Sequence, residues 1–418
     1  MAASGNGTGK STPGSLPANG VIGVSSNQIR LMLIPLFATL IMAGFVTTVG
    51  LLTEPAALRY GVELTDIASQ FTWFTGGVFL GGILAFFIFD YVAIKPVILW
   101  SYVVSIGLIV WLHFNSLYSL LPVLLTLIGT LLAIVICGGV TVITQQWQGK
   151  TRQMIMVAQD AMFNGGGIVF SGAATWFVVN QFEWTSAYLI VAVLIGIVVL
   201  LAMTSSFKPL IVAEEQETTS AGTWNAGIIL VGFSLLLFMM AKISIFVWAP
   251  QFIQQTFSVG PEVGGQFMAN VFTAAFIGSL IGTWAASKIE VKYLLFCLVV
   301  VSMLSVFALT VTSSVSLILI LAYGYGISVS ATYNSYVAFG LSFVDRPSHK
   351  NVVYLQLMSG FGSTLAPLVS SMIVDRTASI SSAIQFCFVT LVIVAMTLFV
   401  CNFLHVRISQ AKLAPAAP

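Results

Sequence analysis

Long apolar runs separated by short polar breaks fill most of this chain, and there are twelve of them. Their approximate limits are 30–53, 67–89, 95–114, 118–144, 154–179 and 184–207, then, after a polar stretch, 224–252, 263–286, 293–312, 317–343, 352–374 and 378–404. Each run is about 20 residues or more, the length a helix needs to cross about 30 Å of hydrocarbon. A membrane β-barrel would instead show alternating strands of about ten residues. The pattern predicts an all-α membrane protein with twelve transmembrane helices in two pseudo-symmetric six-helix bundles.

The polar breaks set the expected domains. Residues 1–27 are rich in Ser, Gly, Asn and Pro and form a disordered cytoplasmic tail. Residues 28–207 form the first bundle, 208–223 a cytoplasmic linker, 224–405 the second bundle and 406–418 a second tail. The stretch from Gly5 to Thr12 superficially resembles a phosphate-binding loop, but Ser4 stands where its first glycine belongs and no strand precedes it. No apolar segment follows Lys10 closely enough to make a signal peptide.

Charge orients the spans. Of the 15 Lys and Arg, Arg59 and Arg376 fall on one side and Lys242 inside a span, which leaves all the others on the side of the N-terminus. Positive loops stay cytoplasmic, so both termini are expected there, in a bacterial inner membrane. Composition agrees, with 58% of the 418 residues hydrophobic and 7% charged. The net charge of +2 gives no reason to expect nucleic acid. Cys137, Cys297, Cys387 and Cys401 lie in apolar runs without metal spacing, and no His, Cys or carboxylate cluster suggests catalysis. Neither a cofactor, a metal nor an enzymatic activity is expected.

A shift of 197 residues superimposes Gly81 on Gly278, Lys95 on Lys292, Gly129 on Gly326, Gln159 on Gln356 and Gly165 on Gly362. These matches fall on equivalent spans of the two halves. Parallel six-helix repeats are the architecture in which two bundles rock about a central site.

Charged side chains inside hydrocarbon cost about 2.5 to 3.5 kcal/mol on insertion scales, so they normally face a partner or an interior space. Two are clearly intramembrane. Asp160 stands about 12 Å into the fifth span counted from Arg152, and Lys242 about 27 Å into the seventh counted from Trp224. The difference of about 15 Å is more than the two side chains could close as a direct ion pair, which predicts separate roles. Asp160 can take up a proton as its surroundings lose water, which makes it the candidate for proton coupling, with helix packing as the other reading. Lys242 can meet an anionic substrate, snorkel to the outer interface, or form an outer gate with Glu54. Gln159, Asn164, Tyr333, Asn334 and Gln356 complete the candidate substrate site, and each of them is equally suited to bonding between helices. Tyr336 and Ser359 are polar neighbours of this group. Trp73 and Trp248 lie on spans expected near the mouth of an interior space.

Local sequence adds a resemblance. Residues 143–152 (ITQQWQGKTR) and 160–168 (DAMFNGGGI), the second span from Phe71 to Pro96, and the step from Val247 to Pro250 are similar to TsgA-type proteins of the major facilitator superfamily. That branch is similar to the fucose:proton symporter-like group. The resemblance covers the membrane part of both halves and implies a twelve-helix transporter carrying a sugar-like solute with a proton. The fucose group has acids on its first and fourth helices. Here Glu54 is near the outer end of the first span and Gln145 and Gln146 occupy the fourth, so Asp160 is the acid left for coupling. Asp90 and Lys95 match the superfamily's signature between helices 2 and 3, with Phe86 where it has glycine. The resemblance implies that Asp90 helps to latch the cytoplasmic side.

The expected function is therefore secondary active transport by alternating access, with proton-coupled uptake of a small polar solute, sugar-like or an organic acid. The expected partners are that solute, a proton or other coupling ion and the lipid bilayer, with the monomer as working unit. The alternatives are an anion exchanger or effluxer centred on Lys242, and a membrane sensor or assembly partner that moves nothing.

Overall fold

The computed structural model describes residues 25–115, 117–147, 149–207, 224–286, 288–344 and 349–413. These are almost wholly helical: α1 (Ser26–Val46), α2 (Val49–Tyr60), α3 (Leu64–Tyr91), α4 (Ile94–Phe114), α5 (Leu121–Gln146), α6 (Gly149–Val179), α7 (Ser186–Met203), α8 (Ala226–Phe257), α9 (Pro261–Ala286), α10 (Val291–Val311), α11 (Val315–Ser330), α12 (Thr332–Leu341), α13 (His349–Thr377) and α14 (Ser381–Leu413). Among the described residues, 12 helical segments are long and apolar enough to cross a membrane.

Two predicted spans are each split in two. The first divides into α1 and α2 at Thr47 and Thr48, whose hydroxyls donate to the carbonyls of Ala43 at 2.8 Å and Gly44 at 2.7 Å. Such back-bonding competes with the helical ladder and bends a helix. The tenth divides into α11 and α12 at Ala331, flanked by Ser328, Ser330 and Thr332, which donate to the carbonyls of Tyr325, Ile327 and Ser328 in the same way.

The ends follow local chemistry. Ser25 and Gln28 form a capping box that starts α1, and Gly61, at a φ of 65°, ends α2. Because Ser25 caps α1 and Asn27 exchanges hydrogen bonds with Ser206, the end of the expected 1–27 tail belongs to the bundle. At the other terminus α14 continues to Leu413, past the expected start of a tail at 406, because nothing in the sequence breaks a helix before Pro415. Residues 1–24 of the expected tail, the linker 208–223 and residues 414–418 lie outside the described residues.

The helices assemble as two bundles, α1–α7 and α8–α14, and the repeat is visible in their packing. Gly129 of α5 lies against the Phe74 carbonyl of α3, and Gly326 of α11 lies against the Val271 carbonyl of α9. Gly81 packs on Thr130 and Ala133, and Gly278 on Ile327 and Ser330. Each contact maps onto its counterpart by the shift found in the sequence. Hydrocarbon gives helices no hydrophobic reason to associate, so close backbone approach at small residues supplies dispersion contact instead.

Between the bundles α3 packs on α13, α6 on α9 and α2 on α8. We call the face on which α1 begins the N-terminal face and the opposite one the far face. Toward the far face the halves meet backbone to backbone: Gly50 of α2 lies on the carbonyls of Phe246 and Val247 and on the ring of Pro250, and Gln251 Nε2 donates to the Gly50 carbonyl at 3.1 Å. Pro250 has no N–H, so the Phe246 carbonyl lacks its usual helical donor. Gly50 covers that carbonyl with an approach that any side chain would block. Nearer the middle, Thr364 donates to the Thr75 carbonyl at 3.3 Å and Gly167 abuts Phe272.

Candidate functional site

Three polar side chains from three helices converge across the seam. Asn334 Nδ2 of α12 donates to Asp160 Oδ2 of α6 at 2.9 Å, joining the two bundles side chain to side chain. The break at Ala331 sets this up, since α12 begins at Thr332 and places Asn334 in its first turn. Asn334 is exposed although it lies in mid-span and bonds to the opposite bundle. The seam is therefore open beside it. Lys242 of α8 is the third member: its ammonium and the Asp160 carboxyl act on each other electrostatically. Among the described residues, ion pairs join Arg59 to Glu183 and Lys292 to Glu290, and Asp160 and Lys242 form no such direct pair. Lys242 Nζ lies over the Phe246 ring, 5.8 Å from its centre.

The absence of a direct pair agrees with the depth difference read from the sequence, but the two groups are electrostatically coupled rather than independent. The helices begin at Gly149 and Ala226 rather than at the positions from which depth was counted. Measured along each helix from there, Asp160 lies about 16 Å in and Lys242 about 24 Å in. The difference along the helices is then about 8 Å, and each group feels the other's charge.

Other predicted residues divide into those near this cluster and those elsewhere. Tyr333, next to Asn334, lies within the electrostatic reach of Asp160. Asn164, one helical turn beyond Asp160, is 9% exposed. Gln159 is buried, and its amide donates to the Pro35 carbonyl at 3.4 Å, which ties α6 to α1 inside one bundle. Gln356 is exposed on α13. Glu54 is exposed on α2, and the structure does not bring it to Lys242. Asp90 lies in the last turn of α3, and its side chain is outside the described residues.

Tyr336 and Trp248 are packing residues of the second bundle. The Tyr336 hydroxyl meets Ser234 Oγ at 2.9 Å, and Trp248 Nε1 donates to Ser370 Oγ at 2.9 Å, all four residues being buried. Trp73 is 52% exposed on α3. A surface pocket of about 340 Å³ on the far face, bounded by Leu64, Gln255, Thr256 and the turn from Ala378 to Ser381, contains none of the predicted residues. The sequence reading overlooked Gly50 and Gln251. The signal for them was the glycine before Glu54 and the amide directly after Pro250, at equivalent ends of the first and seventh spans.

Comparison with known proteins gives a consistent picture. The family model described as Major Facilitator Superfamily matches residues 34–354. The TsgA homolog of Buchnera aphidicola subsp. Baizongia pistaciae is 20% identical over 351 residues, covering 84% of this chain and 90% of that protein. Protein TsgA of Shigella boydii serotype 18 is 20% identical over 361 residues with the same coverage. Among solved structures, a bacterial homolog of the human lysosomal transporter Spinster, in an inward-facing and occupied conformation, superposes with a TM-score of 0.68 at 14% identity, covering 93% of this chain and 98% of that one. The nucleoside transporter NupG superposes with a TM-score of 0.68 at 13% identity, covering 90% of this chain and 98% of that one.

Proposed function

The chain belongs to the Major Facilitator Superfamily, as a TsgA-like multi-pass membrane transporter and not an enzyme, and on that premise we propose that it carries a small polar solute by proton-coupled alternating access. The observation that carries this reading is the cross-seam bond between Asp160 and Asn334 with Lys242 beside it. Here an ionisable group of one bundle depends on groups of the other. A transporter that rocks its bundles must break or remake that contact in each cycle.

In this reading the bundles α1–α7 and α8–α14 move against each other. Ionised Asp160 accepts from Asn334 and attracts Lys242, favouring an arrangement in which α6, α8 and α12 stay together. Protonation removes the charge that strengthens that hydrogen bond. The balance between access states then shifts by the difference in interaction, which is all that any ligand can contribute. Lys242, Asn164, Tyr333 and Asn334 form the solute site, with Gln159 holding α6 on α1. The positive-loop bias supports an inner-membrane protein with its N-terminal face in the cytoplasm. The seal of Gly50 and Gln251 then closes the outside.

The test is reconstitution in liposomes with a pH dye inside and an imposed proton gradient. Wild-type protein should show solute-dependent proton entry and accumulate the solute. Asp160→Asn should lose proton-driven accumulation while retaining solute exchange. Unchanged proton-driven accumulation by that variant would refute the coupling role.

A further inference from the structure

Lys242 brings three N–H donors into the middle of a membrane helix. Among the described residues no hydrogen-bond acceptor or carboxylate meets them: the neighbours are the face of Phe246 at 5.8 Å and the field of Asp160. Asp160 is turned to Asn334 instead. The lysine is half-buried, and an ammonium held within a membrane helix is costly without an anionic partner. Near Asp160, the hydroxyl of Tyr333 and, one helical turn along α6, the amide of Asn164 can each donate to a bound solute. A mid-membrane ammonium that no acceptor meets among the described residues is the chemistry of an anion site.

The charge balance goes one step further. Ionised Asp160 and Lys242 sum to zero. A monovalent anion placed on Lys242 would leave the site with an excess negative charge in surroundings of low dielectric, where uncompensated charge is expensive. A proton on the Asp160 carboxylate restores neutrality. The two must then enter and leave together.

Building on the transport reading, we infer that the solute is a small oxyanion that binds the Lys242 ammonium and moves with one proton on Asp160, so that transport of a monovalent anion is electroneutral. The proton comes from the bulk on the loading side and is released to the bulk on the other; no covalent bond is made or broken. Few other ionisable groups bear on this step. Tyr333 of α12 and Lys242 of α8 act on Asp160. The elements packed on α6 contribute Arg30 of α1 near the N-terminal face, Glu54, Arg59 and Tyr60 of α2 and Glu262 of α9 near the far face, Cys137 of α5 and Tyr188 of α7.

The full-length protein in liposomes, with a pH dye inside and the membrane potential clamped by potassium and valinomycin, tests this against protein-free vesicles. The probes are gluconate, lactate and pyruvate as carboxylates, phosphate and nitrate as inorganic oxyanions, L-fucose as a neutral solute and glycine betaine as a zwitterion. Internal acidification on adding an oxyanion, independent of the clamped potential, is expected. Carboxylate arms alone identify organic acids and inorganic arms alone identify mineral oxyanions; either supports the inference. Lys242→Gln should lose the flux at least tenfold and Lys242→Arg should restore part of it, which separates lost charge from a misfolded variant. Asp160→Asn should retain anion exchange without acidification. Flux that follows the potential, or anion flux unchanged in Lys242→Gln, overturns the inference. Proton flux driven only by fucose or betaine overturns the anion and leaves the transport reading standing. No solute-dependent flux or exchange in any arm overturns both.

Discussion

Asn334 donates to Asp160 across the seam between the two bundles at 2.9 Å, although 174 positions separate them in the chain. A hydrogen bond to a charged acceptor contributes about 1.5 to 3 kcal/mol. That is enough to shift a two-state equilibrium about tenfold or more.

Asn334→Ala should therefore open the N-terminal side of the seam. Spin labels on the ends of α6 and α12 nearest that face, measured by pulsed dipolar spectroscopy, should show the longer-distance population rise about tenfold relative to the shorter one. An unchanged distribution would mean that the bond is incidental to the conformational balance.

On the far face, Gly50→Val places methyl groups where the carbonyls of Phe246 and Val247 now lie. Overpacking of this kind costs about 1 to 3 kcal/mol, and here the cost falls on the sealed state alone. Labelling of a cysteine introduced near the end of α8 should become several-fold faster and transport should fall sharply, with expression unchanged. Labelling at the wild-type rate would argue against a gate at this contact.

The two repeat glycines offer a matched pair. Gly129→Leu and Gly326→Leu each push a side chain into the backbone of the neighbouring helix, at Phe74 and Val271. Both should lower the midpoint of thermal aggregation in detergent by several degrees. A loss confined to one of them would show that the two contacts are not energetically equivalent.

Tyr333 and Tyr336 are three residues apart and are expected to behave oppositely. Tyr336→Phe removes a buried bond to Ser234, costing about 1 kcal/mol of stability with little change in transport per folded molecule. Tyr333→Phe should change the apparent solute affinity and leave the melting point nearly fixed. Stability and uptake measured on the same preparations decide between these outcomes.

The fold was largely readable because membrane helices must satisfy their own backbone, so length and hydropathy define the spans almost directly. The repeat was readable because close contacts between backbones demand glycine, and glycines such as Gly129 and Gly326 leave a pattern that a simple shift detects. Two splits escaped notice because Ser and Thr hydroxyls bonded to their own helix look the same in sequence as hydroxyls facing a neighbour. The candidate site was half visible. Asp160, Lys242 and Asn334 stood out as polar groups in hydrocarbon, but their meeting depends on where each helix begins and how it is rotated. Counting depth from Arg152 and Trp224 excluded a direct ion pair but pointed Lys242 toward Glu54, and its electrostatic coupling to Asp160 was not legible.

The Phe246 carbonyl, left without a helical donor by Pro250 and covered by Gly50, ties the cycle to the surrounding medium. When the halves part at the far face, that carbonyl gains bulk water, a better partner than a glycine Cα–H; when they close, the water must leave. Closure is then a drying event, sensitive to water activity. Sucrose at high osmolality should enrich the sealed form, read as slower labelling of the far-face cysteine, and Pro250→Ala, which returns a donor to Phe246, should blunt that response.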